Sequence, residues 1–433
     1  MGSEIIGIIG LASILLLFLT GIELGFAMAI IGFLGFSYIM SFKAGLNLLA
    51  KDLFDVTGSY GFTVVPLFIF MGQIASNAGI AKRLYNTAYR FMGHIPGGLA
   101  IATVVGATAF KAICGSSPAT AATFASVAVP EMDRYGYGKK LSTGIVATVG
   151  TLGALIPPSV SLILFGVITE QSIGKLFLAG LIPGLLTALF FVFVIIAWCK
   201  INPVLGPKGE RSTWKERFSS LPDVFWAGFI FLVVMGGLMV GFFTPTEAGS
   251  IGTAAVFLLA WLKRDITVKA FIKAVAESLR TACMTMMLIV GSVILGHFLA
   301  VTKIPIMAAD WIVQLPFNKY VIMILISMIY QLGGSFIDDL AFMVLATPIF
   351  YPVIIKLGFD PIWFGMIIMI TVMIGVIIPP VAINVFVVKN ITKVPFSVIY
   401  SGVYPFLISL IVVAALLFVF PQIATFLPSL LMK

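Results

Sequence analysis

The sequence predicts an all-α membrane protein of about ten transmembrane helices in two inverted repeats, each with a re-entrant hairpin and a discontinuous helix. First, 61% of the 433 residues are hydrophobic and only 10% are charged, more apolar surface than a water-soluble chain could bury. Second, apolar runs of about 17 to 25 residues recur along the chain, as membrane-spanning helices require. Third, an unusual pair of glycine, serine and proline breaks occurs twice.

The two copies of the break motif align at two similar offsets. A shift of 222 positions places Gly153–Ser159 (GALIPPS) on Gly375–Val381 (GVIIPPV), and a shift of 218 places Gly115 on Gly333. Breaks inside apolar segments at matching positions of two halves indicate the binding site of a transporter. The predicted units are a first repeat at 1–203, a cytoplasmic linker at 204–221 and a second repeat at 222–433.

The first repeat is expected to hold three spans, a hairpin, a broken helix and a last span. Each hairpin limb of about 17 residues reaches only ~25 Å, short of a ~30 Å hydrocarbon core. Arg90 before the hairpin and Arg134 after it place both ends in the cytoplasm, so the tip at Gly115–Pro118 lies inside the membrane. A short amphipathic connector carries Asp52. The elements are spans 5–21, 24–41 and 60–79, hairpin 97–133, broken helix 139–169 and span 174–199.

The second repeat follows the same plan after the most basic loop of the chain. That loop contains Lys200, Lys208 and Arg211, which mark the cytoplasmic side. Counting spans from it puts the second hairpin on the periplasmic side, so the halves are inverted and both termini are expected in the periplasm. The elements are spans 223–243, 247–262 and 279–301, hairpin 317–355, broken helix 360–390 and span 397–427.

The four breaks are expected to bind an ion and a substrate, because non-helical backbone within a membrane must face protein or a wet cavity. A half-helix that ends exposes carbonyl oxygens, which suit Na+, and one that begins exposes N–H groups, which suit a carboxylate. Pro118 and Pro158 are expected to open the second half-helices, where a missing N–H costs nothing. Membrane serines also often bond only to their own helix, and that alternative stays open.

Residues at or beside the breaks form two predicted sodium sites and an adjoining substrate site. The first sodium site is Gly115, Ser116, Ser117, Gly153, Ile156 and Pro158. The second sodium site is Gly334, Ser335, Asp338, Asp339, Gly375, Ile378 and Pro380. The substrate-binding candidates are Ser117, Pro158, Ser159, Asn384 and Lys111.

Asp338 and Asp339 are the strongest single indication of an ion-binding site. A carboxylate at the bilayer centre costs about 2.5–3.5 kcal/mol, which a bound cation would offset. The alternatives are a structural partner such as Lys111 or a helix N-terminus. Adjacent residues cannot share a helix face, so one of the two carboxylates is expected to bind the ion. Three roles stay open for Lys111: it could attract an anionic substrate, pair with an aspartate, or extend to the membrane interface (snorkelling).

Several other function classes are disfavoured by the sequence. His94 and His297 are distant from each other, with His94 expected at the interface and His297 expected to be isolated, and no HExxH motif occurs, so we predict that the chain is not an enzyme. Cys114, Cys199 and Cys283 show no paired spacing. The net charge of +9 gathers between helices rather than in the basic stripe of a nucleic-acid binder. Paired breaks suit alternating access better than a passive channel.

Four motifs in this order resemble the large membrane subunit of TRAP (tripartite ATP-independent periplasmic) transporters. They are GSSPATAA and GTLGALIPPS in the first half, and GGSFIDDLA and GVIIPPVAINVF in the second. The resemblance covers nearly the whole chain. It implies an elevator-type secondary transporter of the bacterial inner membrane, in which hairpins and broken helices move against a scaffold.

The resemblance further implies Na+-coupled uptake of an organic acid, of the C4-dicarboxylate or sialic acid class, with sialic acid the first expectation. It implies two partners besides the lipid bilayer, a small four-helix membrane subunit on a separate chain and a soluble periplasmic substrate-binding protein. No organic cofactor is expected. The alternative is a stand-alone Na+/carboxylate symporter with related hairpins, which would need no binding protein.

Overall fold

Twenty α-helices build the part of the chain that the computed structural model describes, residues 2–432, and no β-strand occurs among them. The all-α prediction is confirmed. The first ten are α1 (Ser3–Leu19), α2 (Leu24–Ile39), α3 (Phe42–Gly58), α4 (Val64–Asn77), α5 (Ile80–Met92), α6 (Gly98–Lys111), α7 (Ser117–Arg134), α8 (Lys139–Val149), α9 (Val160–Ile168) and α10 (Ile173–Ile201). The others are α11 (Trp214–Val240), α12 (Pro245–Leu262), α13 (Val268–Thr302), α14 (Ile304–Val313), α15 (Lys319–Phe336), α16 (Asp339–Lys356), α17 (Pro361–Gly375), α18 (Ile383–Thr392), α19 (Phe396–Val419) and α20 (Gln422–Leu431).

Breaks in the helices fall where glycine, serine and proline predict them. The pair α6 and α7 forms the first hairpin, and α15 and α16 form the second. The pairs α8 with α9 and α17 with α18 are interrupted at Pro157–Pro158 and Pro379–Pro380, both of which are cis peptide bonds. The same order of elements therefore occurs twice.

Several boundaries differ from the sequence prediction. The basic link after the third span is a helix, α5, whose apolar residues lie on one face. Helix α11 begins inside the predicted linker, because Thr213 and Glu216 form a reciprocal capping box there. The last span, predicted at 397–427, is shorter: its helix ends at Val419, since the residue before Pro421 is disfavoured in helical conformation.

Membrane-spanning helices are distributed over both halves. Six are individually long and apolar enough to cross a bilayer, or seven if the bent pair α3 and α4 is one span, within residues 2–432. Further apolar helices, α1 and α2 among them, are 16 or 17 residues long. The count of ten spans, the repeat boundaries and the inversion of the halves stay predictions.

Helix contacts between the two halves occur in matching pairs. Helix α2 packs on α13 as α12 packs on α4, and α5 packs on α11 as α1 contacts α14. In the interior, α7 contacts α18 as α16 contacts α9, and α8 contacts α19 as α10 contacts α17. A chain with a duplicated plan is expected to show this pattern. Both sets of contacts cross between the halves, so each half completes the other.

The broken helices form the centre of the protein. All residues of α8 from Leu141 to Val149 are buried, and so are fourteen of the fifteen residues of α17. Large apolar side chains on the outer helices are exposed instead, for example Phe193 on α10 and Leu232 on α11. A helix that is apolar all round is typical of the interior, and exposed apolar faces on long helices suit lipid.

The segment between α10 and α11 is bound to the base of the first hairpin. The Gly97 N–H, just before α6, donates to the Gly206 carbonyl oxygen at 2.9 Å. The Gly138 N–H, just before α8, donates to the Leu205 carbonyl oxygen at 3.0 Å. The linker therefore holds both ends of the hairpin.

Both histidines have polar neighbours. His297 Nε2 on α13 lies 3.4 Å from Oδ1 of the buried Asp52 on α3, so the expectation that His297 is isolated is wrong. The reason is that α3 packs along α13, which the sequence separation does not reveal. His94 Nδ1 lies 3.4 Å from the Arg217 guanidinium.

Gly402 should be intolerant of a side chain. A Cβ there would collide with the Lys140 carbonyl oxygen on α8, whereas a Cβ at Gly228 on α11 would meet nothing within 4 Å. We expect Gly402→Ala to lower the thermal unfolding midpoint of the purified protein, at a cost of about 1–3 kcal/mol for overpacking. Gly228→Ala is the control and should leave the midpoint unchanged or slightly raised, because alanine favours helix. Equal midpoints for the two variants would contradict the close α8–α19 packing.

Candidate functional site

The tip of the first hairpin is a helix end followed by a capped helix start. Helix α6 ends at Lys111, and α7 begins at Ser117 with Ser116 as its N-cap. The Ser116 hydroxyl accepts from the Ala119 N–H at 3.4 Å. Pro118 lies in the first turn of α7, as predicted, where its missing N–H costs no helical bond.

The first broken helix has its own cap. After α8 a short 3₁₀ turn runs to Ala154, and α9 begins at Val160. The Ser159 hydroxyl accepts from the Leu162 N–H at 3.4 Å and donates to the Ala154 carbonyl at 3.0 Å. The prediction that Pro158 opens this half-helix is therefore wrong, because Ser159 is the N-cap and Pro158 precedes it.

Lys111 joins the two breaks of the first half. Its Nζ donates to the Ser116 carbonyl oxygen at 2.6 Å and lies so close to Gly153 that no Cβ would fit there. Lys111 is fully buried, so the snorkelling alternative is wrong. Within residues 2–432 it forms no salt bridge with an aspartate. Gly115 packs beside it, where a Cβ would lie 2.8 Å from the Pro158 carbonyl oxygen.

The two adjacent aspartates at the second tip have different surroundings. Asp338 is the N-cap of α16, and its Oδ1 accepts from the Leu340 and Ala341 N–H groups at 3.1 and 3.4 Å. Asp339 is the first residue of α16 and is only 6% exposed. Among the described residues Asp339 has no cationic side chain within salt-bridge distance. The helix N-terminus considered as a partner is thus found for Asp338.

The second hairpin and second broken helix are joined through backbone. The Ser335 carbonyl accepts from the Val381 N–H at 3.1 Å and from the Ala382 N–H at 3.4 Å. A Cβ on Gly375 would lie 3.0 Å from the Gly334 carbonyl carbon. The Ser335 hydroxyl donates to the Leu332 carbonyl at 2.7 Å, the bond to its own helix that the sequence left open. Of the remaining second-site candidates, Ile378 is half-buried and Pro380 exposed.

Asn384, from the second broken helix, reaches the first break. Its side-chain Nδ2 donates to the Ala147 carbonyl on α8 at 3.2 Å. A Cβ on Gly150 would lie 2.9 Å from that Nδ2 and 3.1 Å from the Ser117 carbonyl oxygen, so the three groups adjoin. Asn384 is completely buried, and its Oδ1 has no hydrogen-bond partner within the described chain.

A cavity of about 360 Å³ lies where the two hairpin tips meet the start of α9 and the faces of α4 and α13. Of the five substrate candidates, Ser117 lines it, whereas Ser159, Lys111 and Asn384 are fully buried outside its wall and Pro158 is not among its lining residues. The polar residues that line it are Gln73, Ser116, Ser117, Ser161, Thr281, Thr285, Asp338 and Asp339.

Four of the polar lining residues were not predicted, and one of them, Ser161, lies in the first turn of α9, two residues after the predicted Ser159. Gln73 lies on α4, and Thr281 and Thr285 lie on α13. Each is a polar residue within an apolar helix and carries no break or duplication. The one available signal is that Thr281 and Thr285 are four residues apart, which places them on one helix face.

The chemistry of the cavity suits an anion together with a cation. The first turns of α7, α9 and α16 all contribute to its wall, and helix N-termini favour negative charge. Asp338 and Asp339 favour positive charge, and none of the lining residues is a lysine, arginine or histidine. An organic anion accompanied by a small cation would satisfy both kinds of group.

Comparison with known proteins gives a consistent family. Residues 11–423 match the model for the tripartite ATP-independent periplasmic transporter, DctM component. The chain is 34% identical over 382 residues to the C4-dicarboxylate TRAP transporter large permease protein DctM of Pseudomonas aeruginosa, covering 88% of this chain and 89% of that one. It is 32% identical to the sialic acid TRAP transporter large permease protein SiaM of Vibrio cholerae, covering 96% of each chain.

The fold is also similar to that of a solved transporter. The crystal structure of the YdaH transporter of Alcanivorax borkumensis superposes with a TM-score of 0.65, covering 87% of this chain and 89% of that one. At 13% sequence identity this likeness supports the fold alone. The family model and the relatives together establish that the chain belongs to the TRAP transporter family as its large permease component, a multi-pass inner-membrane protein that takes part in solute uptake.

Proposed function

We propose that this permease takes up an organic acid together with Na+ by an elevator mechanism, receiving the acid from a periplasmic binding protein and working with a small four-helix membrane subunit. An organic acid is supported by the two relatives, whose names specify C4-dicarboxylate and sialic acid. The cavity supports it further, because three helix N-termini face the space in which the acid would lie.

The observation that carries sodium coupling is the unpartnered Oδ1 of Asn384. A buried polar atom without a hydrogen bond costs about 1–3 kcal/mol, so a ligand is expected to satisfy it. The Ser117 carbonyl oxygen and the Asn384 amide nitrogen both lie beside Gly150, so this carbonyl is an oxygen close to the Asn384 side chain. Because Lys111 already binds the Ser116 carbonyl, we place the first sodium ion toward Ser117 and Asn384. Asn384 then serves as an ion ligand instead of a substrate ligand.

The second sodium ion is supported by Asp339. Its carboxylate is buried at the cavity and has no ion pair within residues 2–432. A charge in such a place is costly unless it is paired, and Na+ would pair it. Asp338 is already engaged by two N–H groups of α16, so we assign Asp339 as the ion-binding carboxylate of the two.

The elevator mechanism is supported by how the helices group. The hairpins and broken helices interlock through the α7–α18 and α16–α9 contacts, which would make them one moving body. Helices α1 to α4 and α11 to α13 pack on one another around it. Side-chain bonds across this boundary are sparse, for example Ser76 Oγ to Thr123 Oγ1 at 3.2 Å and Ser292 Oγ to the Val344 carbonyl at 3.3 Å. Such a boundary would allow sliding.

Uptake into proteoliposomes that contain both membrane subunits should require external Na+ with a Hill coefficient above 1. With a monovalent acid and two Na+, one net charge enters per cycle, which gains about 2.3 kcal/mol per 100 mV of inside-negative potential. A K+ diffusion potential that is negative inside should therefore accelerate uptake of such a cargo. Uptake that ignores Na+ contradicts sodium coupling, and uptake at full rate without the binding protein favours the stand-alone symporter.

The two aspartates provide a matched pair for the second ion. Asp339→Asn removes only the charge and should raise the half-saturating Na+ concentration about tenfold or more, equivalent to ~1.4 kcal/mol. Asp338→Asn preserves a side-chain oxygen for the N-cap, so it should shift that concentration less than about twofold. Na+-dependent uptake by the two variants, at matched expression and unfolding midpoint, is the measurement. A larger shift for Asp338→Asn would reverse the assignment.

A disulfide across the proposed sliding boundary should stop transport. In a background without the native cysteines, Ser76→Cys with Thr123→Cys should cross-link on oxidation, abolish uptake, and recover on reduction. The control pair is Leu67→Cys with Gly249→Cys, where a Cβ on Gly249 would lie 3.2 Å from that of Leu67 within α4 and α12. It should cross-link without loss of uptake. Full uptake by the oxidised Ser76–Thr123 pair would contradict motion at this boundary.

A further inference from the structure

Polar residues continue beyond the cavity along two of the helices that line it. Gln73 on α4 and Thr281 on α13 line the cavity, and Asn77 and Glu277 lie four residues further along these helices. Residues four apart share a helix face and are about one turn apart. Asn77 Nδ2 donates to Glu277 Oε2 at 3.1 Å, so the two side chains meet one turn outside the cavity.

A third helix that lines the cavity, α7, shows the same arrangement. Ala119 on α7 lines the cavity, and Thr123 lies one turn further on. Thr123 Oγ1 is 3.2 Å from Ser76 Oγ, which neighbours Asn77 on α4. Two polar contacts, Ser76 to Thr123 and Asn77 to Glu277, therefore lie on α4 three and four residues beyond the lining residue Gln73.

All three helices run toward basic residues in this direction. Helix α4 leads to Lys82 and Arg83, the start of α13 carries Lys269 and Lys273, and α7 ends at Arg134. Lysine and arginine collect on the cytoplasmic side of membrane proteins. Toward its other end α4 is apolar: Phe68 is 1% exposed and Val64 and Val65 are fully buried. The polar side chains beyond the cavity therefore lie on the side of the helices that the basic residues mark as cytoplasmic.

Glu277 places a negative charge one helical turn outside the cavity. Lys273 Nζ is 3.7 Å from its Oε1, but both side chains are substantially exposed, and an exposed i, i+4 pair neutralises little. We propose that Asn77, Glu277 and the Ser76–Thr123 pair form the cytoplasmic mouth of the cavity, where Glu277 determines specificity by binding Na+ in transit and repelling the cargo anion from re-entry. The inference rests on the proposed sodium coupling.

Na+ alone is the probe that tests this role. Na+ concentration jumps are applied to the cytoplasmic face of membranes that contain the permease with its small subunit, without cargo, and the displaced charge is recorded. Glu277→Gln should raise the half-saturating Na+ concentration about threefold to tenfold, as expected for loss of a partly exposed charge that binds the ion in transit, with the maximum charge unchanged. Glu277→Asp should restore it, and Glu210→Gln in the exposed linker should have no effect.

The outcomes separate this inference from sodium coupling itself. If the wild-type protein displaces no charge on Na+ jumps, sodium coupling fails and the inference falls with it. If the wild type responds and Glu277→Gln responds at the same half-saturating concentration, the role of Glu277 alone is overturned. Asn77→Ala keeps the carboxylate while removing its partner, so it should not raise that concentration. An increase equal to that of Glu277→Gln would assign the effect to the contact instead of the charge and overturn the proposal.

Discussion

The need to satisfy backbone polar groups at helix ends inside a membrane protein governs the rest of this structure. Unpaired N–H and carbonyl groups are costly where no water reaches, so four interruptions near the centre must each find partners. The Ser116 carbonyl accepts a hydrogen bond from the Lys111 ammonium group, and the Ser335 carbonyl accepts from the Val381 and Ala382 N–H groups. The second hairpin tip is thus bonded to the broken helix of its own half, and the first tip packs on its broken helix where Gly115 meets Pro158. The cavity forms where these two assemblies meet.

Cross-connections between the halves explain why the site needs the whole chain. Asn384 belongs to the second broken helix but bonds to Ala147 and adjoins Ser117 at the first break. The walls of the cavity come from both hairpin tips and from one outer helix of each half, α4 and α13. Neither half alone encloses the cavity or completes the surroundings of the first break. Duplication supplied two similar units, and their interlocking created a site that neither unit contains.

Sequence reasoning succeeded where local chemistry decides the structure. Glycine and proline predict breaks, and α6 ends before Gly115 while Pro118 lies in the first turn of α7, as predicted. It failed where tertiary neighbours decide. The partner of Lys111 depends on a carbonyl that turns toward it only after the tip folds, and Gln73 is one polar residue in an apolar helix with nothing nearby in sequence to mark it. The prediction that Pro158 opens α9 failed because Ser159, the better N-cap, follows it directly.

The linker bonds to the first hairpin also have a consequence for biogenesis. Gly97 and Gly138 are synthesised well before Gly206 and Leu205, whose carbonyls they bind. Since the ribosome delivers the chain from its N-terminus, the hairpin base lacks these partners until the linker emerges. The first half then closes upon itself while the second half is still unmade. The base of the first hairpin can thus close before the second-half helices that pack on α8 and α7 have been made.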